Sequence, residues 1–381
     1  MLHSHSCHQR ATIFSSLSGT AVMVDGPFHL ETISECRREI TYRHLVPFDS
    51  SLSTRSINGR AVNPVGLGCM SLSWAYGTPP SPQDGANLLQ RALDIGYNNL
   101  DTARIYGIGS NEELIGNTLR DRRSEFFLSS KTGIFVEGRG RRIDCRPEVI
   151  KAACEESLQK LQTDHIDLYY LHRRDFTVPI EESVGALVEL VEAGKIGSIG
   201  LSEMSAATIR AAHAVHPIAA VQTEYSLATR NPEIAVLDAC RELGISFVAF
   251  SPVARGMLSN GVREPQALLD SDIRKTMPRF VGENWERNRA LVDGFNALAE
   301  KAGVTPAQLS LGWVLAQGDH VVVIPGTSRI DHLEENIARS DWRPSTELSA
   351  ELSVLINRET IAGSRYTDAA QATIDTEEFA A

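Results

Sequence analysis

The sequence predicts an α/β protein built as a closed parallel (β/α)8 barrel, the TIM-barrel architecture, with an N-terminal hairpin cap and an extension at each terminus. Three observations predict it. Eight apolar, strand-like runs alternate with amphipathic stretches between Val65 and Gly326, the pattern of βα units. Polar residues fit for chemistry stand at or just past the C-terminal ends of several runs, where a barrel gathers them at one mouth. The GxGxxG turn that opens a doubly wound dinucleotide-binding sheet is missing, since Gly66 and Gly68 lack a third glycine at the right spacing.

The elements follow in chain order. Residues 1–53 show no periodicity and read as a poorly ordered N-terminal extension. Its His3, His5, Cys7 and His8 read as adventitious histidines and a thiol on a loose terminus, not as a metal site. Residues 54–345 carry the barrel. Asn58-Gly59 is the preferred pair of a two-residue hairpin turn, and a hairpin there would cap one end. The strand-like runs are Val65–Met70, Tyr97–Ala103, Phe126–Lys131, Ile166–His172, Ser198–Glu203, Ala219–Tyr225, Ile245–Pro252 and Val321–Gly326. Several of the helical stretches between them stop at glycine, at Gly96, Gly194 and Gly244. The long connection from Pro252 to about Trp285 implies a functional loop or one with short helices of its own. The tail after Trp342 holds one more amphipathic stretch, STELSAELSVLINRE, and residues 346–381 read as a C-terminal helix and tail whose acidic, Ala-rich end is expected to be mobile.

Composition narrows the function. The 381 residues are 42% hydrophobic and 22% charged, enough for one large core. A formal net charge of -11 with no compensating basic stripe excludes a nucleic-acid footprint. The most basic stretch, Arg139, Arg141, Arg142 and Arg146, reads as a solvated loop beside Asp144. Six cysteines without a CxxC pair read as reduced thiols. No run is long enough to span a bilayer and no signal-peptide core is present, so the expected location is cytoplasmic. The expected partner is a small molecule; oligomeric state leaves no mark on the sequence.

The chemistry lies in four residues. Asp101 ends the second run, Tyr106 follows in the next loop, Lys131 ends the third run and His172 the fourth. Neighbouring parallel strands lie about 4.8 Å apart, so Asp101 and Lys131 can pair. A phenol of ordinary pKa about 10 is expected to be brought down by the lysine cation, making Tyr106 a general acid. His172 would orient a carbonyl oxygen. Other strand ends suit a cofactor: Ser202, Glu203 and Gln222 for a carboxamide, and Phe250 or Tyr225 for ring stacking. Ser251 to Leu258 offers a small-residue loop with Arg255. Gly326, Thr327 and Ser328 precede a helix start, an anion-binding arrangement, and Arg329 can pair with a phosphate. Trp74 and Tyr76, after the first strand, could line an apolar substrate pocket.

The segments NNLDTARIYG, LSSKTG, IDLYYLH, IGLSE, QTEYS, FSPVARGML and IPGTSRIDHLEEN, in this order, resemble the aldo-keto reductase family from about Thr54 to Arg343. LHRRDFTVPIEESVGALVELVEAGKIGSIGLSE and MPRFVGENW are similar to the branch that includes pyridoxal reductases and related aldehyde reductases. The resemblance implies NADPH-dependent reduction of aldehydes, with ketones and pyridoxal as further candidates, and no metal. It implies Tyr106 as proton donor, tuned by Lys131 and Asp101, with His172 positioning the substrate. Ser202 and Gln222 match carboxamide-holding positions; Glu203 stands where other branches carry Asn, and Phe250 where many stack a Tyr. Gly326, Thr327, Arg329, Glu335 and Asn336 match the adenosine-phosphate segment. Some branches carry Lys where Gly326 stands, which leaves Arg329 as the 2′-phosphate partner. Two other classes fit the fold: a nucleotide-binding, redox-sensing regulatory subunit with little turnover, and a Schiff-base enzyme using Lys131. The adjacent Asp101 argues against the second by keeping the lysine protonated.

Overall fold

The computed structural model describes residues 54–138 and 140–379; the N-terminal extension and its His3, His5, Cys7 and His8 lie outside them. Asn58 and Gly59 take φ of 49° and 75°, the positive pair that a type I′ turn needs. They join β1 (Arg55–Ile57) to β2 (Arg60–Val62) in an antiparallel hairpin. Ile57 and Val62 point into the barrel against Phe127, Leu168, Tyr170, Val248 and Val322, so this hairpin stoppers the N-terminal end. Its arginines hold it there. Arg55 donates to the Leu315 carbonyl at 2.9 Å and Arg60 to Asp167 at 2.6 Å.

The strands then run in chain order. β3 (Leu67–Gly68), β4 (Asn99–Asp101) and β5 (Phe127–Thr132) lead to a second hairpin, β6 (Ile134–Glu137) and β7 (Gly140–Ile143). β8 (Leu168–Leu171), β9 (Ile199–Ser202), β10 (Ile218–Glu224), β11 (Ser246–Phe250) and β12 (Val321–Ile324) follow. Eight of them pair in parallel in the order β12-β11-β10-β9-β8-β5-β4-β3. The sheet closes on itself: Val65 bridges Val323, Gly68 bridges Gly326, and the Gly66 N–H donates to the Val323 carbonyl at 2.8 Å. At this seam a Cβ on Gly68 would stand 2.7 Å from the Ile324 carbonyl oxygen, so the closure requires glycine.

Helices α1 (Pro82–Asp94), α2 (Ser110–Leu119), α3 (Pro147–Leu161), α4 (Ile180–Glu192), α5 (Ala206–Val215) and α6 (Val236–Leu243) wrap the barrel between successive strands. An additional α7 (Gly282–Ala302) precedes α8 (Pro306–Leu315), and α9 (Ile330–Ile337) follows β12. Capping sets several starts: Ser81, Ser205 and Thr305 accept N–H groups of the first turn, Thr305 in a reciprocal box with Gln308. α10 (Thr346–Leu355) buries Leu352. No helix among the described residues is long and apolar enough to cross a membrane.

Two expectations are corrected. The basic stretch is not a plain solvated loop: Gly138 turns with φ 58° and pairs β6 with β7, while Arg142 and Arg146 share Asp144. The acidic segment up to residue 379 is not loose. Asp375 accepts from the Ser205 N–H at 3.0 Å and its hydroxyl at 2.9 Å, Glu377 accepts from the Ala206 N–H at 2.8 Å, and Asn231 donates to Glu378 at 2.9 Å. Acidic tail residues thus cap α5, whose N-terminal N–H groups and dipole favour anions. The long connection after β11 does contain short helical turns. Its buried Asp272 accepts from the Gly77 N–H at 2.8 Å, docking it on the loop after β3.

Candidate active site

Parallel closure sends every strand end to one face, and the four candidates meet there. Lys131, 1% exposed inside β5, pairs with Asp101 at the end of β4 and donates to the Thr102 carbonyl at 2.8 Å. Its Nζ stands 3.5 Å from the Tyr106 hydroxyl. Tyr106 opens a tight turn in which Gly107 and Ile108 take left-handed φ of 55° and 57°, which lowers the ring into the mouth. The His172 ring, just past β8, meets it edge-on at 5.9 Å and 81°. Gln222 of β10 donates to the free Asp101 oxygen at 2.7 Å.

Burial dominates the electrostatics. It pulls the Lys131 ammonium down, but Asp101 and then Tyr106 hold it above the usual lysine value, so the cation persists. For Tyr106 burial raises the phenol and Lys131 only offsets it, so the net direction is upward. This corrects the expectation of a lowered phenol: the hydroxyl is held as a proton carrier, and the lysine limits how unfavourable its loss would be. Burial, then Arg173, Lys131 and Arg141, push His172 well below 6.5. The imidazole is neutral, with Nδ1 buried and unpartnered among the described residues. A site that can release a proton beside a neutral hydrogen-bonding imidazole and a fixed cation is equipped to protonate an oxygen that gains negative charge.

The expected cofactor residues divide. Ser202 and Gln222 are buried at the ends of β9 and β10, and the half-buried Phe250 ring closes β11. Ser251, Ala254, Arg255 and Gly256 form a left-handed run over the next loop. Arg255 lies inside that run, bound to Glu224 at 2.7 Å and within 3.3 Å of the Tyr76 hydroxyl. Thr327 accepts from the Arg329 N–H at 3.0 Å where α9 begins, and the exposed Arg329 fork rests on Asp331. Asn336 is buried, and the Glu335 carbonyl accepts from Gln308 at 2.9 Å. Tyr225 is not available for stacking: it lies in the core against Phe247 and Trp313, its hydroxyl donating to Glu233 at 2.7 Å. Glu203 is committed elsewhere. Its oxygens accept from the Glu224 N–H at 2.9 Å, Arg365 at 3.1 Å and the Thr376 hydroxyl at 2.9 Å.

Trp74 packs beside Ala103, Ile105, Tyr106 and Ile134, and Tyr76 lies under the Arg274 guanidinium at 4.7 Å. Sequence reasoning missed Asn111. Its amide accepts from the Thr102 hydroxyl at 2.7 Å and donates to the Cys69 carbonyl at 2.8 Å, tying the loop after β3 to the end of β4. A buried amide in the first turn of α2 shows in the sequence only as a helix-start residue.

A profile of the aldo/keto reductase family matches residues 64–353. "Probable aldo-keto reductase 1" of Glycine max is 42% identical over 310 residues, spanning 81% of this chain and 89% of its own. Among solved structures, a glycerol dehydrogenase from Gluconobacter oxydans superposes with a TM-score of 0.74 at 28% identity, over 80% of this chain and 95% of its own. An aldo/keto reductase from Klebsiella pneumoniae, solved in complex with NADP and acetate, gives 0.63 at 27% identity over 82% and 98%.

Proposed function

The chain belongs to the aldo/keto reductase family, and we propose that it reduces aldehydes to primary alcohols with NADPH, Tyr106 giving the proton. The observation that carries this reading is the 3.5 Å approach of the Tyr106 hydroxyl to Lys131, a cation kept charged by Asp101.

The residues fit a dinucleotide. The Gly68–Gly326 seam leaves no room for a side chain, and the Ser71 hydroxyl beside it is buried without a partner among the described residues. Arg329 and Thr327 would take the adenosine phosphate, Ser202 and Gln222 the carboxamide, and Phe250 a ring face; the Ser251–Gly256 run would cover the phosphates. Bound NADPH supplies a hydride to the carbonyl carbon. His172, neutral, orients the carbonyl oxygen through an N–H. The Tyr106 hydroxyl transfers its proton to that oxygen, so the alcohol leaves having gained one hydrogen on carbon and one on oxygen. Lys131 then faces the phenolate at close range, in surroundings too dry for water to stabilise it. Asp101 and Gln222 hold that lysine in place.

The decisive assay is NADPH oxidation by the purified chain over a panel of aldehydes, ketones and pyridoxal. Turnover of aldehydes supports the reading, and tight NADPH binding without turnover of any carbonyl overturns it in favour of a nucleotide-sensing role.

A further inference from the structure

We propose that Arg141 and Arg173 form an anion site at the mouth that selects carbonyl substrates carrying a carboxylate or a phosphate; this rests on the reductase reading above. Most other cations around the mouth already have partners, Arg174 a hydroxyl of Thr208 and Arg279 that of Thr229 and the Gly363 carbonyl, the rest a carboxylate. Lys131 holds Asp101, Arg255 holds Glu224, Arg365 holds Glu203, Arg274 holds Asp272, and Arg142 and Arg146 share Asp144. Arg141 and Arg173 have no carboxylate partner among the described residues.

Both are held. Arg173 donates through Nη1 to the His172 carbonyl at 2.6 Å and approaches the Ser202 hydroxyl at 3.4 Å, which leaves the rest of its fork without a hydrogen-bond partner among the described residues. Arg141, opposite Val136 on β7, lies with its guanidinium 4.6 Å over the Trp74 ring. Trp74 itself packs in the cluster that contains Tyr106. The two arginines thus flank the phenol from β7 and from the end of β8. Arg141 keeps much of its surface in solvent; partial desolvation and then the neighbouring Arg173 disfavour its cation, and a bound anion offsets both.

Topology assigns the anion to the substrate. In the sheet order, β5 and β8 lie across the barrel from β11 and β12, and the dinucleotide phosphates are placed after β11 and β12. A cofactor phosphate over Arg329 is therefore on the far side of the mouth. A planar guanidinium stacked on an indole offers a fixed fork for a carboxylate or phosphate.

The test uses the full chain with NADPH and two matched pairs: 4-carboxybenzaldehyde against its methyl ester, and pyridoxal 5′-phosphate against pyridoxal. The anionic member of a pair is expected to have kcat/KM higher by roughly tenfold or more, the range of one charge-assisted hydrogen bond. Arg141→Ala and Arg173→Gln should each cut that ratio by about tenfold, mainly through KM, with Arg141→Lys recovering part of it. Preference in the first pair alone assigns an oxo acid, in the second alone a phosphorylated aldehyde; either supports the site. Turnover of neutral aldehydes with equal kcat/KM within both pairs overturns the anion site and leaves the reductase reading standing. A raised KM for NADPH in Arg141→Ala, with the ratios unmoved, also overturns it. Benzoate binding by calorimetry gives a readout independent of turnover: affinity unchanged in Arg141→Ala sinks the site even if no aldehyde reacts.

Discussion

Gln222 donates to the second oxygen of Asp101 at 2.7 Å while Lys131 takes the first. One carboxylate, 3% exposed, is thereby satisfied from β5 and from β10 at once. The contact crosses the barrel mouth, between residues 121 positions apart, and fixes the lysine by fixing its partner. Gln222→Leu leaves that oxygen buried and unpaired. The variant should lose about 1–3 kcal/mol of stability, the cost of one unsatisfied buried polar group, read as a lower urea midpoint. Turnover should fall with it; a variant of native stability and activity would remove Gln222 from this role.

Tyr106→Phe deletes the proposed proton donor and keeps the ring. Reduction should fall by about 10²–10⁴-fold, the usual worth of a positioned acid, while NADPH binding, followed by fluorescence quenching, stays within a few-fold. Wild-type rates in this variant would take Tyr106 out of the reaction.

Arg329 is exposed and rests on Asp331, whose own pKa is lowered to about 2 by that contact. Swapping this partner for a 2′-phosphate costs the protein little, because an exposed pair contributes little. Arg329→Ala should weaken NADPH by about tenfold or more, as loss of a charge-assisted contact does, with NADH barely affected. Equal losses for both cofactors would move the 2′-phosphate elsewhere.

As the proposed acid, Tyr106 must be protonated to act. Burial holds Tyr106 above the ordinary phenol value of about 10, so kcat/KM for an aldehyde should be flat from about pH 6 to 9 and fall only in more alkaline solution. His172 is already neutral and adds no limb near 6.5. For stability the sign is opposite. The folded chain leaves His172 unprotonated, while the unfolded chain binds a proton below about 6.5, so its contribution is present above that pH and lost below it. An activity limb near 6.5 that His172→Gln abolishes would put an imidazolium into the reaction.

Glu203 anchors the end of the chain. Its partner Arg365 has a side chain only 3% exposed, and Glu203→Ala leaves that charge only its longer 3.7 Å approach to Glu378. Breaking one half of a buried pair costs about 3–5 kcal/mol, and the segment 357–379 should become the first site of limited proteolysis. A variant cut no faster than the wild type would show that the caps on α5 hold the tail unaided.

The eight strands, the first hairpin and the four residues at the mouth were legible because each is a local signal. β-branched runs, an Asn-Gly turn and strand-end polar residues need only a few neighbours to be read. The second hairpin was missed although its turn glycine, Gly138, stands between two short alternating segments, because four nearby arginines read as solvent-facing. Tyr225 was offered as a stacking ring because strand-end aromatics look alike in sequence; it faces the outer layer, between Phe247 and Trp313.

What the chain by itself determined is the alternation of strands and helices, and with it the single face on which Asp101, Tyr106, Lys131 and His172 had to meet. Tertiary structure alone decided the sense of the Tyr106 shift, the commitment of Glu203 to Arg365 and Thr376, and the docking of the acidic end over α5. Each of these depends on desolvation or on ion pairs between distant residues. Such energies exist only once the barrel has closed and water has been excluded from its mouth.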